Sequence, residues 1–431
     1  MQKNTILLLC ALICVGSSRS FAADAWPPGK NIGDAIGVQI KNSASKEDLE
    51  AIKETGFKYV RLDLNWPSIE TAAGVYDWSG ADRIISDLRL SGLNAVIILG
   101  GSNKLYGKMV PARPDNVDHL KEVSTAPATP VAMQAFARFA AQAVSRYDGS
   151  DVVWEIWNEP DLYRFWAPKP DVNAFSVLTE LACKSMRKAS PQAVVVGPAL
   201  AQVPDEKDGV SPEFLKKFLK SSALQCLDAF SMHPYRHGDE VPEAAQVDYE
   251  IVRSTMLYSD KKNKRVLPIV NSEWGYSTTQ ASEERQADYI LRSYLVNLLN
   301  GVPLSIWYEW KDTPRSDPED PEGHFGIVSL DGQTKPAAEV LREKLAEIGG
   351  YKIVRRLQTP ESFDYILILQ NEKKKQVIAA WTIRPGEEGT ANMLVMDGGD
   401  STVYPLSGRP VIVPVSDVDT QILIMGNGGE H

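Results

Sequence analysis

The sequence predicts an α/β fold: a (β/α)8 barrel followed by a small antiparallel β-domain. Three observations predict it. Short apolar runs alternate with amphipathic helical stretches eight times between Gly37 and Ile348, and strictly alternating βα units imply a parallel sheet. Their span, roughly 310 residues, suits a barrel with some enlarged loops. No Gly-rich phosphate turn follows the first strand, which disfavours the competing doubly wound open sheet.

The elements follow in order. Gly37–Lys41 reads as a strand and Lys46–Thr55 as a helix ended by Gly56. Strands at Tyr59–Leu64, Asn94–Gly100 and Val152–Trp157 are followed by helices at Ser79–Ser91, Pro130–Tyr147 and Asp171–Ala189. Strands at Ala193–Pro198, Asp228–His233, Val266–Ser272 and Leu304–Tyr308 then lead into helices at Ser211–Ser221, Glu243–Ser259, Glu283–Asn300 and Lys335–Ile348. After Gly349-Gly350 only strands follow: Tyr351–Gln358, Phe363–Gln370, Gln376–Ile383, Thr390–Met396 and Thr420–Met425. The expected division is a barrel over 23–349 and a β-sandwich-like domain over 350–431. A structural role is expected for the tail; a carbohydrate-binding module is the alternative, for which no row of exposed aromatics speaks.

The first residues stand outside this pattern. Lys3 gives a positive start, Ile6 to Val15 is apolar but too short to span a bilayer, and Ser20-Phe21-Ala22 offers small residues for cleavage. Residues 1–22 therefore read as a signal peptide, with an uncleaved anchor as the alternative, and the mature protein is expected to be exported, periplasmic or extracellular. No later stretch reads as a transmembrane helix. The net charge of −10, from 46 basic and 56 acidic side chains, argues against nucleic acid or an anionic membrane as partner. Cys183 and Cys226 remain after the leader; a disulfide and two free buried thiols are both open. No Cys/His cluster has zinc spacing, and neither metal nor cofactor is expected.

In such barrels the active site lies at the C-terminal ends of the strands. The fourth strand ends in Asn158-Glu159 and the seventh in Ser272-Glu273. Cleaving a glycosidic bond needs two flanking carboxyl groups, one to protonate the departing oxygen and one to attack or stabilise the anomeric carbon. Three βα units separate the pair, so a closed barrel brings both to one mouth. A Glu at a strand end also serves as a helix cap or pairs with a surface Lys; two in these contexts fit catalysis better.

Alternation on the second strand puts Arg61, Asp63 and Asn65 on one face, toward the interior. A buried Arg61 needs a carboxylate, and Glu273, Asp63 and Glu155 all remain open as its partner. Ala229, Ser231, His233 and Tyr235 share a face, which places His233 and Tyr235 at the mouth. Trp66, Trp157, Trp166, Trp274, Trp307 and Trp310 crowd the strand ends, a composition that suits a carbohydrate cleft. On the eighth strand Trp307 and Glu309 are expected inward, because Ser305 gives that face a small bottom residue. The loops Ser102–Pro130 and Asp312–His324 are expected to wall the cleft.

Trp154-Glu155-Ile156-Trp157-Asn158-Glu159-Pro160 resembles the fourth-strand motif of clan A glycoside hydrolases, and Asn271-Ser272-Glu273-Trp274-Gly275 their nucleophile strand. His233-Pro234-Tyr235 resembles the sixth strand of that clan, and His324-Phe325-Gly326-Ile327-Val328 with Lys335-Pro336-Ala337 the approach to its eighth helix. The arrangement is closest to families 39 and 5. The resemblance covers the barrel; the tail matches in outline. It implies a retaining mechanism on β-glycosidic bonds of an oligo- or polysaccharide, with Glu159 as acid/base, Glu273 as nucleophile, Asn158 on the sugar 2-hydroxyl and no cofactor. Arg61, Asn65, Trp66, Asn158, His233, Tyr235, Trp307 and Glu309 are the expected substrate-binding set. A non-catalytic sugar-binding barrel and an inverting hydrolase are the competing readings.

Overall fold

The computed structural model describes residues 26–28, 31–41, 44–113, 120–201, 213–259, 265–359, 362–384, 391–415 and 420–426. The expected signal peptide lies outside them. Eight strands, β1 (Ile36–Gln39), β2 (Tyr59–Asn65), β3 (Asn94–Gly100), β4 (Val152–Ile156), β5 (Val194–Leu200), β6 (Ala229–Met232), β7 (Ile269–Trp274) and β8 (Ser305–Trp307), close into a parallel barrel in chain order, with β8 pairing β1. Helices α1 (Lys46–Thr55), α2 (Ser79–Ser91), α3 (Pro130–Tyr147), α4 (Val172–Ala189), α5 (Glu213–Lys220), α6 (Ala245–Ser259), α7 (Glu283–Leu299) and α8 (Pro336–Ile348) follow the strands one by one.

Local chemistry fixes the helix ends. Ser45 caps α1 in a reciprocal box with Asp48, and Gly56 closes it in the left-handed conformation. Thr129 caps α3, with Pro130 at its first position, and Asp171 caps α4. Apolar helix faces then pack on the strands' outward side chains.

Inside the barrel, Tyr59, Val96, Val153, Val196, Ala229, Val270, Leu304 and Ile306 fill the bottom. β1 contributes Gly37 to this layer, where a Cβ would meet Ile306 Cδ1 at 2.5 Å and Tyr59 Cβ at 2.7 Å. The barrel is thus a plugged core, and space opens only above this layer.

The chain then forms β9 (Tyr351–Arg356), β10 (Asp364–Asn371), β11 (Gln376–Thr382), β12 (Ala391–Asp397), β13 (Asp400–Leu406), β14 (Val411–Val415) and β15 (Gln421–Gly426). They make two antiparallel sheets, ordered β9-β10-β11-β14 and β13-β12-β15, around Ile366, Ile368, Ile378, Met393, Leu406 and Val413. β13 and β14 were not expected from the sequence. Each contains a proline, Pro405 and Pro414, which weakens a strand reading. The Gly398-Gly399 turn, both residues at positive φ, was the available hairpin signal.

Cys183 on α4 and Cys226 before β6 form a disulfide, which resolves the two alternatives. No helix among the described residues is long and apolar enough to cross a membrane.

Candidate active site

A cleft of about 860 Å³ opens at the C-terminal ends of the strands. Glu159 and Glu273 both line it. The turn after β4 carries Trp157 at φ 70° and Glu159 at φ 46°, left-handed conformations that side chains rarely adopt. The surrounding structure holds them there: Trp157 N–H donates to Leu99 O and Glu159 N–H to Ala199 O, both at 2.8–2.9 Å. Strain of this kind is concentrated at functional sites.

At the end of β7 the pairing with β8 slips between Asn271 and Trp274. The irregularity lets two consecutive residues face inward: Ser272 Oγ lies 3.2 Å from His233 Nε2, and Glu273 reaches Arg61 and Tyr235. Gly275 follows, where a Cβ would sit 1.8 Å from Tyr308 O, so the ends of β7 and β8 close tightly beside the carboxylate.

Arg61, fully buried, organises the floor. Its Nε donates to Glu155 Oε2 at 2.8 Å, its Nη1 to Glu273 Oε2 and Gln39 Oε1, and its Nη2 to Asn158 Oδ1 at 2.8 Å. It thus holds Glu155 and Glu273 together. Tyr235 donates its hydroxyl to Glu273 Oε1 at 2.8 Å. Burial alone would raise the Glu273 carboxyl; His233, the Arg61 guanidinium and the Tyr235 hydrogen bond outweigh it and hold the carboxyl below the usual range. His233 Nδ1 lies 2.8 Å from Glu159 Oε1. Burial opposes charging of that imidazole, but Glu273 and Glu159 beside it shift its titration upward.

One carboxylate oxygen each of Glu159 and Glu273, with a His233 nitrogen, lie within 4.8 Å of one another. Such donors suit a cation in principle. Here Glu273 already takes the Arg61 guanidinium and Glu159 the imidazole, so the oxygens are committed to protein donors and a fixed positive charge faces the position.

A sequence model of the cellulase family, glycosyl hydrolase family 5, matches residues 30–312. The chain belongs to this family. No curated protein matches it. Among solved structures, a family 39 glycoside hydrolase from the gut symbiont Bacteroides cellulosilyticus is similar with a TM-score of 0.69 and 20% identity, over 89% of this chain and 81% of the other. A monomeric β-xylosidase from Caulobacter crescentus gives 0.60 and 17%, over 93% and 95%. An exo-β-1,4-mannosidase from an Opitutaceae bacterium gives 0.52 and 17%, over 74% and 61%. At these identities the likeness is one of fold. The chain is a glycoside hydrolase on a TIM barrel.

In this family 5 hydrolase Arg61, Asn158, His233 and Tyr235 meet at the two glutamates, and Asn65 is exposed on the cleft wall. Trp66 is a correction. It begins the short helix Trp66–Ile69, is fully buried between Tyr106, Phe136 and Phe139, and donates Nε1–H to Glu70 at 2.5 Å. A fully buried indole offers no face to a sugar.

The eighth strand is a second correction. Leu304 and Ile306 point inward, so Tyr308 lines the cleft, while Trp307 packs beside Tyr276 away from it. Ser305 Oγ accepts from Asn297 of α7, in the helix layer. The inner bottom residue of most strands is apolar, and Ser305 misled because it is small. Glu309 is buried under the rim, 3.2 Å from Lys41 Nζ and 3.0 Å from Thr313 Oγ1, so it reaches the cleft through Lys41. Of the rim tryptophans, Trp157 alone lines the cleft; its aromatic wall is completed by Phe165, Tyr235, Tyr308 and Phe325. Lys41, Tyr308 and Phe325 were missed as site residues.

The expected long loops do wall the cleft. Met109–Pro111 pairs with Glu122–Ser124 as a hairpin, and Met109, Leu120 and Val123 line one side. Glu322 lines it from the loop after β8, 4.0 Å from Arg164.

Proposed function

We propose that the protein is a retaining hydrolase of β-glycosidic bonds in an oligo- or polysaccharide, with Glu159 as acid/base and Glu273 as nucleophile. The observation that carries this is the meeting of the two carboxylates, oxygens within 4.8 Å. A retaining pair stands about 5–5.5 Å apart, whereas an inverting pair leaves room for a water at about 6.5–9.5 Å.

The chemistry follows from the contacts. Protonated Glu159 gives its proton to the glycosidic oxygen while Glu273 attacks the anomeric carbon, the C–O bond breaks and a glycosyl ester forms. Glu159, now a carboxylate, takes a proton from water, which attacks the same carbon and releases Glu273. Arg61 and Tyr235 keep Glu273 ionised for attack. Asn158, held by Arg61 through its carbonyl oxygen, keeps its amide N–H groups for the sugar.

The same reading makes the mature protein exported, which the Cys183–Cys226 disulfide favours. It divides the chain at about residue 349, with the β-sheets as structural support.

The test is a panel of aryl β-glycosides and polysaccharides, with product anomers followed by NMR beside Glu273→Gln. Sugar released by the wild type alone, first as the β-anomer, is the expected result. Initial release of the α-anomer rejects retention, and wild-type turnover by Glu273→Gln rejects the nucleophile.

A further inference from the structure

The mechanism leaves Asp63, a carboxylate lining the cleft, without a task. Asp63 sits on the inward face of β2, one step above Arg61, and is exposed to the cleft. No hydrogen bond reaches its side chain from the described residues. Every other carboxylate near the reaction centre is committed: Glu155 and Glu273 to Arg61, Glu159 to His233, Glu309 to Lys41 and Thr313. Exposed at the cleft, its oxygens are open to the donors of a bound ligand.

Its neighbours define the complement. Lys41 follows two residues after the adjacent strand β1, lines the same cleft and is 40% exposed. Lys41 donates to Tyr308 Oη at 2.8 Å and pairs with Glu309, which fixes its ammonium at the wall. Asn65, two residues beyond Asp63, is exposed on the same face. An open acceptor and a held donor lining one cleft match two adjacent hydroxyls, one donating to the carboxylate and the other accepting from the ammonium. The position relative to the scissile bond also follows. Asp63 stands on the same strand face as Arg61, the residue that holds Glu273, and so belongs to the nucleophile's side of the cleft. The sugar on that side is the one whose anomeric carbon is attacked.

We propose that Asp63 and Lys41 form a diol clamp that selects a neutral glycone with two adjacent free hydroxyls. A uronate at this place would set its carboxylate against Asp63, and an acylated or methylated hydroxyl would leave Asp63 without a donor. The inference rests on the hydrolase reading for its meaning and extends it to the class of sugar accepted.

The experiment uses 2,4-dinitrophenyl β-glycosides of xylose, glucose, galactose and mannose. For whichever is cleaved best, the 3-deoxy and 4-deoxy analogues follow, with wild type, Asp63→Ala and Asp63→Asn. A hydrogen bond to a charged group corresponds to roughly 10- to 100-fold in kcat/KM. Asp63→Ala is expected to lose that factor on the parent sugar, and Asp63→Asn less. On one deoxy analogue, wild type and Asp63→Ala are expected to converge, because the missing hydroxyl and the missing carboxylate are the same contact. Equal losses on parent and both analogues would indicate a merely structural residue and overturn the clamp, as would an unchanged kcat/KM on the parent. If the wild type cleaves neither these glycosides nor any polysaccharide of the panel above, it is the hydrolase reading that fails. Saturation-transfer NMR with the corresponding methyl β-glycosides then reads the clamp directly. Loss of transfer to the ring protons at positions 3 and 4 in Asp63→Ala supports it; an unchanged pattern, or no transfer to wild type, overturns it.

Discussion

Arg61 holds Glu273 through Nη1 while its Nε and Nη2 hold Glu155, at 2.8 and 2.7 Å, so one buried guanidinium balances two carboxylates. Replacing it with methionine leaves both acids buried without their cation. Breaking a buried pair in this way costs about 3–5 kcal/mol, so Arg61→Met is expected to lower the denaturation midpoint strongly. Arg61→Lys keeps the charge and loses the fork. It is expected to fold, with lower kcat and an acid limb of the kcat/KM profile displaced to higher pH. The sign follows from the depressed Glu273 carboxyl: with less stabilisation of the anion, its titration moves back up. An unmoved acid limb in Arg61→Lys would contradict this role.

Tyr235 tests the same carboxylate with little cost to the fold. Its hydroxyl donates to Glu273 Oε1, and its ring leans on Phe325 at 5.9 Å. Phenylalanine keeps the ring contact and removes one hydrogen bond to the charged form. Tyr235→Phe is expected to reduce kcat/KM roughly 10- to 100-fold, to shift the acid limb upward, and to leave the melting temperature nearly unchanged. Steady-state kinetics across pH, with a thermal melt on the same samples, checks all three.

Trp66 and Tyr308 separate core from cleft. Trp66→Ala removes a fully buried indole and is expected to destabilise by about 3–5 kcal/mol, whereas Trp66→Phe is expected to leave KM unchanged. Tyr308→Ala, at the cleft wall, is expected to raise KM. Kinetics of the two conservative and cleft variants decide the assignment, and a raised KM in Trp66→Phe would restore Trp66 to the substrate.

These residues also mark where sequence reading succeeded and where it ran out. The eight βα units were legible because apolar periodicity and caps such as Ser45, Thr129 and Asp171 act locally. Glu159 and Glu273 were legible because each ends a strand, and a closed barrel leaves strand ends one place to meet. Arg61, His233 and Tyr235 followed from simple alternation. Alternation failed at two kinds of place. At Ser272-Glu273 a register slip, invisible in the sequence, turns consecutive residues to one side. On β8, Ser305 and Ile306 compete for the interior, and the packing of Asn297 against Ser305 decides it. Tryptophan content was a poor guide to the cleft: an indole buries as well as it binds, and Trp66 meets the core before the mouth.

The contact between barrel and β-sheets turns on Glu243, whose partners are far apart in sequence. Arg292 of α7 donates to it with Nε and Nη2 at 2.9 and 2.6 Å, and Trp381 of β11 donates Nε1–H at 2.7 Å. Trp381 stacks on Tyr365 at 5.0 Å, and Arg292 Nη1 also reaches Gly408 O. Alanine at 243 leaves a buried guanidinium and a buried indole N–H unpaired. Glu243→Ala is therefore expected to cost about 3–5 kcal/mol without changing kcat of the protein that remains folded, since the pair lies outside the cleft lining. Glu243→Gln keeps an acceptor for Trp381 but removes the charge, and is expected to fall between the two. Chemical denaturation of the three proteins, with activity normalised to folded fraction, tests the role: a kcat that falls in step with Glu243→Ala destabilisation would mean that the sheets help shape the cleft.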